Sequence, residues 1–73
     1  MSNFEKNMLE FEKSLEESVN NDIKFLEETS EMVENLPDGE EKNLWLNVID
    51  IVVNNIKNHK EDLIKLKNIR NEA

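Results

Sequence analysis

Leu36-Pro37-Asp38-Gly39 is the stretch on which the reading of this chain turns. It holds the only proline and the only glycine among the 73 residues. Proline pushes the residue before it out of the α region, so a helix arriving from the N-terminal side stops at about Asn35. Asp38 followed by Glu41 has the spacing of a capping box and starts a second helix. Ser2 followed by Glu5 has the same spacing and starts the first. Nothing in either segment breaks a helix. The expectation is helix 1 at about 3–35, a turn at 36–39 and helix 2 at about 39–71, within a single domain spanning 1–73. Each helix would be roughly 50 Å long, and so short a connection makes them antiparallel.

The apolar periodicity agrees. Phe4, Met8, Phe11, Leu15, Val19, Ile23, Leu26, Ser30 and Val33 recur at gaps of four or three on the first segment. Trp45, Ile49, Val52, Ile56, His59, Leu63, Leu66 and Arg70 alternate four and three on the second. These are stripes of one helical face, and a turn near 37–38 sets them against each other with Ile23 facing Val52 and Ser30 facing Trp45. The fold class is therefore all-α, an antiparallel two-helix hairpin.

A second apolar set is left over. Phe25, Met32 and Leu36 on helix 1 join Leu44, Leu46, Val48, Ile51 and Val53 on helix 2, all in the half nearer the turn. Two helices cannot cover both faces of such a helix, so this set is expected to meet another chain. A homodimer that closes a four-helix bundle is the simplest occupant, and a different protein is the other. The contact surface is expected at Phe25, Met32, Leu36, Leu44, Val48 and Ile51. A chain this short has a thin stability margin, and small domains need staples. With no cysteine and one histidine, self-association is the staple that remains.

Net charge is −8, unevenly placed. Residues 1–41 hold thirteen acids against Lys6, Lys13 and Lys24, a net of −10, and residues 42–73 hold six bases against four acids, a net of +2. In an antiparallel hairpin the basic residues at 57–70 lie beside Glu5, Glu10, Glu12, Glu16 and Glu17, where cross-helix pairs would fix the register. Glu27, Glu28, Glu31 and Glu34 have no such explanation. They fall in the last turns of helix 1, where the helix dipole disfavours acids. They read either as a solvated face or as charges that select a basic partner, including a nucleic-acid-binding protein that this chain would occupy by imitating a phosphate backbone. Direct binding of nucleic acid needs a positive footprint and is not expected. The bases at 57–70 would hold a small anion only if several chains brought them together.

No chemistry is legible. Gly39 alone cannot form a phosphate loop, the serines and Thr29 lack a base in a recognisable arrangement, and position 56 is Ile, so no Glu-x-x-His exists for a diiron bundle. His59 sits on the core stripe and reads as a packed, hydrogen-bonded residue. No cofactor or metal site is expected. The most apolar window, residues 44–56, is broken by Asn47, Asp50, Asn54 and Asn55 and falls short of the roughly 20 residues that span a membrane. Residues 1–15 lack the apolar run of a secretory signal. The expected location is the cytoplasm, without membrane contact. Twelve asparagines beside abundant Lys, Ile and Glu, residues with AT-rich codons, point to a low-GC bacterium, its phage or another mobile element.

The stretch Glu27-Glu28-Thr29-Ser30-Glu31-Met32, with Asn47-Val48-Ile49-Asp50-Ile51-Val52, resembles the all-α nucleotide pyrophosphohydrolases of the MazG-like group. The resemblance covers about a third of the chain. It implies a Glu-x-x-Glu on one helix and a Glu-x-x-Asp on the next, holding magnesium against a nucleoside triphosphate. Glu28 and Glu31 match the first pair and Asp50 the last position, while Asn47 stands where the third carboxylate would be. On that reading the chain is a degenerate relative. The leading expectation is a non-catalytic acidic interaction module, a small inhibitor or antitoxin-like regulator that binds a basic protein. A structural homo-oligomeric assembly subunit is the alternative.

Overall fold

The computed structural model describes residues 2–72: two α-helices, α1 (Asn3–Glu34) and α2 (Glu40–Glu72), folded back on each other as a hairpin. Its Cα extents are 54 × 15 × 11 Å, one helix long, two helices wide and little more than one helix thick. Among the described residues there is no strand, and no helix is long and apolar enough to cross a membrane.

Each end of α1 is satisfied locally. Ser2 is its N-cap, and its Oγ accepts from the Glu5 N–H at 3.2 Å. At the other end Pro37 has no N–H to give the Val33 carbonyl. The Leu36 N–H takes that carbonyl at 3.1 Å, the Asn35 N–H takes Met32 O at 3.2 Å, and Asn35 Nδ2 takes Glu31 O at 3.1 Å. Three carbonyls that a helix end leaves orphaned are thus paired within the turn.

The start of α2 differs from the expected capping box. The first backbone bond of α2 runs from the Asn43 N–H to Gly39 O at 3.1 Å, which makes Gly39 the cap residue, one position later than Asp38. Asp38 Oδ1 instead receives Lys42 Nζ at 3.4 Å. Glycine offers no side-chain acceptor, so the N-terminal dipole of α2 is met by Glu40 and Glu41 in its first turn.

The seam between the helices is narrow. Among the described residues Val19, Val33 and Ile56 are the buried apolar side chains, and none is wholly removed from solvent. On α2 each member of the Trp45-to-Arg70 stripe is buried or half-buried, as the spacing predicts. On α1 the stripe holds from Leu15 to Val33 but fails at its start, because Phe4 and Phe11 are about half exposed and Glu12 is buried instead.

The cause is Arg70. Its Nε donates to Glu12 Oε2 at 2.7 Å and an Nη to Glu12 Oε1 at 3.3 Å, a fork on a carboxylate that is only 5% exposed. This ion pair occupies the seam at the open end and turns Phe11 out to the flank. One turn nearer the hairpin bend, Lys67 Nζ lies 3.6 Å from Glu16 Oε1, with both side chains half exposed. The Arg70 pKa is raised, first by the hydrogen bond to Glu12 and further by the charges of Glu12 and Glu5, with partial burial working against them. A raised pKa means the stabilisation is complete below the ordinary arginine value and is lost only as pH climbs through the raised one. On the arginine side, the clasp therefore holds throughout the physiological range.

Two stability tests follow from this layout. Ile56→Ala empties part of a core of three side chains and should cost about 2–4 kcal/mol in urea unfolding. Ile64→Ala, at a site 62% exposed, should cost less than about 0.5 kcal/mol. Equal costs would mean that the seam is not where the stability resides. Arg70→Met should lower the thermal midpoint more than Lys67→Met, since only the former strands a buried carboxylate. The reverse order would show that the clasp does not form.

Candidate interaction surface

Helical phase divides the hairpin into two broad sides. On α1, Phe4, Phe11, Ser18, Phe25 and Met32 recur at seven-residue intervals, and on α2 Leu44, Val48, Ile51, Asn55, Asn58 and Asp62 recur at four and three. Phe11 and Asp62 line the same shallow groove of about 330 Å³, together with Leu15, His59, Lys65 and Leu66. The two stripes therefore share one side of the hairpin, here the front. The opposite side, the back, carries a groove of about 350 Å³ lined by Ser30, Val33, Glu34, Lys42, Leu46 and Ile49.

The front unites the six expected contact residues. Phe25, Met32, Leu44, Val48 and Ile51 are all more than a third exposed, with Leu44 at 58% and Ile51 at 59%, and Leu36 is half-buried beside the turn. Leu46 and Val53, from the same leftover set, are exposed on the back with Ile64. Further exposed apolar residues lie far from the turn, which corrects the expectation that all of them cluster near it: Phe4, Phe11 and Ile69 at the open end of the front, and Ile64 on the back. The seven-residue spacing from Phe4 to Met32 fits the front as well as the 4-3 spacing fits the seam, so periodicity alone leaves Phe4 and Phe11 unassigned.

The acids divide differently. Glu34 lines the back groove, and Glu27 and Glu31 share its edge of α1 at spacings of seven and three. Glu28 stands three residues from Phe25 and four from Met32, on the rim of the apolar front. All four are exposed, and none is in an ion pair among the described residues. Of these four acids, only Glu28 adjoins the apolar front, while Glu34 adjoins Leu46 in the back groove.

Glu28, Glu31 and Asp50 are each exposed. Among the described residues no group of three or more His, Asp or Glu side chains is brought together in a way that could hold a metal ion. His59 is half-buried on the seam, but its Nδ1 is buried without a hydrogen-bond partner, unlike the satisfied histidine expected there.

The single chain exposes 5629 Å². A compact protein of 8.6 kDa exposes about 4,700 Å², so about 900 Å² is in excess. Part of that belongs to any rod, and the rest belongs to side chains that a two-helix seam cannot reach.

Replacing His59 by leucine removes the orphaned nitrogen while keeping most of the volume, and should stabilise the chain by about 1 kcal/mol in chemical unfolding. A loss of stability instead would mean that Nδ1 has a partner in solution.

Compared with known proteins, the chain matches no family model, no curated relative and no solved structure.

Proposed function

We propose that this chain is a non-catalytic interaction module, which pairs with a second copy through its apolar front and offers its acids to a basic protein as a small inhibitor or regulator. The observation that carries the reading is the one-sided front, where exposed Phe25, Met32, Leu44, Val48 and Ile51 sit beside half-buried Leu36. Seen broadside, 54 × 15 Å amounts to about 800 Å², the area each partner contributes to a standard interface. A second copy closing a four-helix bundle would give each helix a second neighbour.

The acids support the second half of the reading. Glu27, Glu31 and Glu34 lie on the back edge of α1, so pairing through the front leaves them in solvent. Their value to a basic partner would be faster encounter and exclusion of wrong partners rather than large affinity. The exposed Leu46, Val53 and Ile64 on the back favour a second reading, a structural subunit that assembles through both sides.

Light scattering after gel filtration separates these readings. A two-chain mass at both low and high salt, reduced to one chain by Val48→Glu, is the expected result. A one-chain mass at both salts would overturn self-pairing, and a large salt-insensitive assembly would favour the structural subunit. A basic protein captured from lysate at low salt should be released as salt rises, because exposed charges are screened within about 8 Å at physiological ionic strength. Capture should also fail when Glu27, Glu31 and Glu34 are replaced together by Gln. Capture unaffected by both changes would remove the acids from the mechanism.

A further inference from the structure

We infer that the two copies pair front to front with their turns at the same end, related by a two-fold axis along the length of the hairpin. The inference rests on the self-pairing proposed above and adds its orientation. The front is layered along its length. Nearest the turn it is apolar, with Phe25, Met32, Leu36, Leu44, Val48 and Ile51. Its middle is polar and exposed, with Ser14, Ser18, Asn21, Asn55 and Asn58. The open end is mixed, with exposed Phe4, Phe11 and Ile69 beside the charged Asp62 and Lys65.

Three arrangements bring two such fronts together. With turns at the same end the apolar layer near the turn meets its like, and the amides and hydroxyls of the middle can pair with each other. The mixed open ends meet beyond, with Asp62 and Lys65 able to pair across them. With turns at opposite ends and full overlap, Phe25, Val48 and Ile51 lie against Ser14, Asn58 and Asp62. That buries polar groups against apolar ones without partners. With turns opposed and only the apolar halves overlapped, Phe4, Phe11 and Ile69 remain in water and most of the front is unused. The first arrangement alone sets Phe25, Val48 and Ile51 of one copy against the same apolar layer of the other.

Like charge is the objection to that arrangement, since it gathers two acidic turn regions at one end. The distribution of three of these acids lessens it, with Glu28 left on the rim of the front and Asp38, Glu40 and Glu41 at the turn. Glu27, Glu31 and Glu34 occupy the back edge of α1, on the far side of a hairpin 11 Å thick. Across two such layers the charges lie beyond the screening length of physiological salt, about 8 Å. The consequence is a pair with a strongly acidic pole at the turns, while at the other end the bases of residues 57–70 are balanced by Glu5, Glu10, Glu12, Glu16 and Glu17. A basic partner would then meet both sets of acids at one pole.

The chain has no cysteine, so single spin labels can be placed cleanly. Asp38→Cys puts one at the turn, on a side chain fully exposed, and Asn3→Cys puts one on an exposed residue at the open end. Distances between the two copies are read by double electron–electron resonance, with mass checked by light scattering on the same samples. Packed helix layers are about 10 Å apart, so the turns-together pair predicts a distance under about 25 Å for both labels. A two-chain mass with a long distance for both labels, near the 54 Å length of the hairpin, would overturn the orientation and leave self-pairing intact. A short Asp38 distance with a much longer Asn3 distance would identify the half-overlapped pair and overturn the orientation as well. A one-chain mass with no intermolecular distance would overturn self-pairing itself.

Discussion

With only two helices, each can cover one stripe of the other, and that geometric limit governs the rest of this chain. An amphipathic helix in an ordinary domain turns an apolar arc of 100° or more toward its neighbours. A single neighbour seals less than that. The seam here is reduced to Val19, Val33 and Ile56 as buried apolar groups, with the remaining stripe residues half-covered along its edges. Apolar groups beyond those edges have nowhere to go within the chain. The exposed front is thus a consequence of the architecture, and is not a defect of packing.

A seam so thin is held at its ends. At one end the constraint is covalent: Pro37 stops α1, and the turn pairs the carbonyls of Glu31, Met32 and Val33 before Gly39 opens α2. At the other end the chain has no connection, and the Glu12–Arg70 fork takes its place. The two devices differ in kind. The turn brings the helices together in one order, whereas the ion pair specifies which residues meet. Because residues 12 and 70 are 58 positions apart, a slip by one turn would leave a buried carboxylate without its guanidinium. Register is enforced by that penalty more than by the net worth of the pair, since removing one partner of a buried pair costs far more than making it gains. Ordinary side-chain packing between the two ends tolerates more, as the unpartnered Nδ1 of His59 illustrates.

The fold was legible in the sequence because its determinants are local. Proline and the 4-3 alternation from Trp45 to Arg70 act over a few residues, and the structure follows them. The misreadings share a physical origin in competition between two uses of one position. Phe4 and Phe11 satisfy the spacing of the seam stripe and that of the seven-residue front stripe equally well. What assigns them to the front is an ion pair from the far end of the chain, which no periodicity reveals. Asp38 likewise fits a cap and a lysine partner, and the lysine four residues on has the acid while Gly39 caps. The candidate surface was half legible. The six front residues could be found because they are apolar and left over, while the placement of Glu27, Glu31 and Glu34 on the other side needed the hand of the hairpin.

That separation bears on how such a chain could act. Were the acids ranged around the apolar front, covering the front would bury them or force them to pair, and one surface could serve one partner at a time. Of the four acids in the last turns of α1 only Glu28 is on the rim, so covering the front costs that acidic edge little. On the proposed reading, an apolar partner and a basic partner would engage different sides of a rod 11 Å thick, and one would not displace the other. Coupling between them would run through stability. A hairpin with three buried apolar side chains is marginal by itself, so whatever covers the front adds to the folded state by mass action and thereby holds the acids of α1 in their helical array. An acidic array on a fraying helix presents charge without geometry. The apolar front and the acidic edge are separate in space but joined through folding, and the first sets how well the second can be presented.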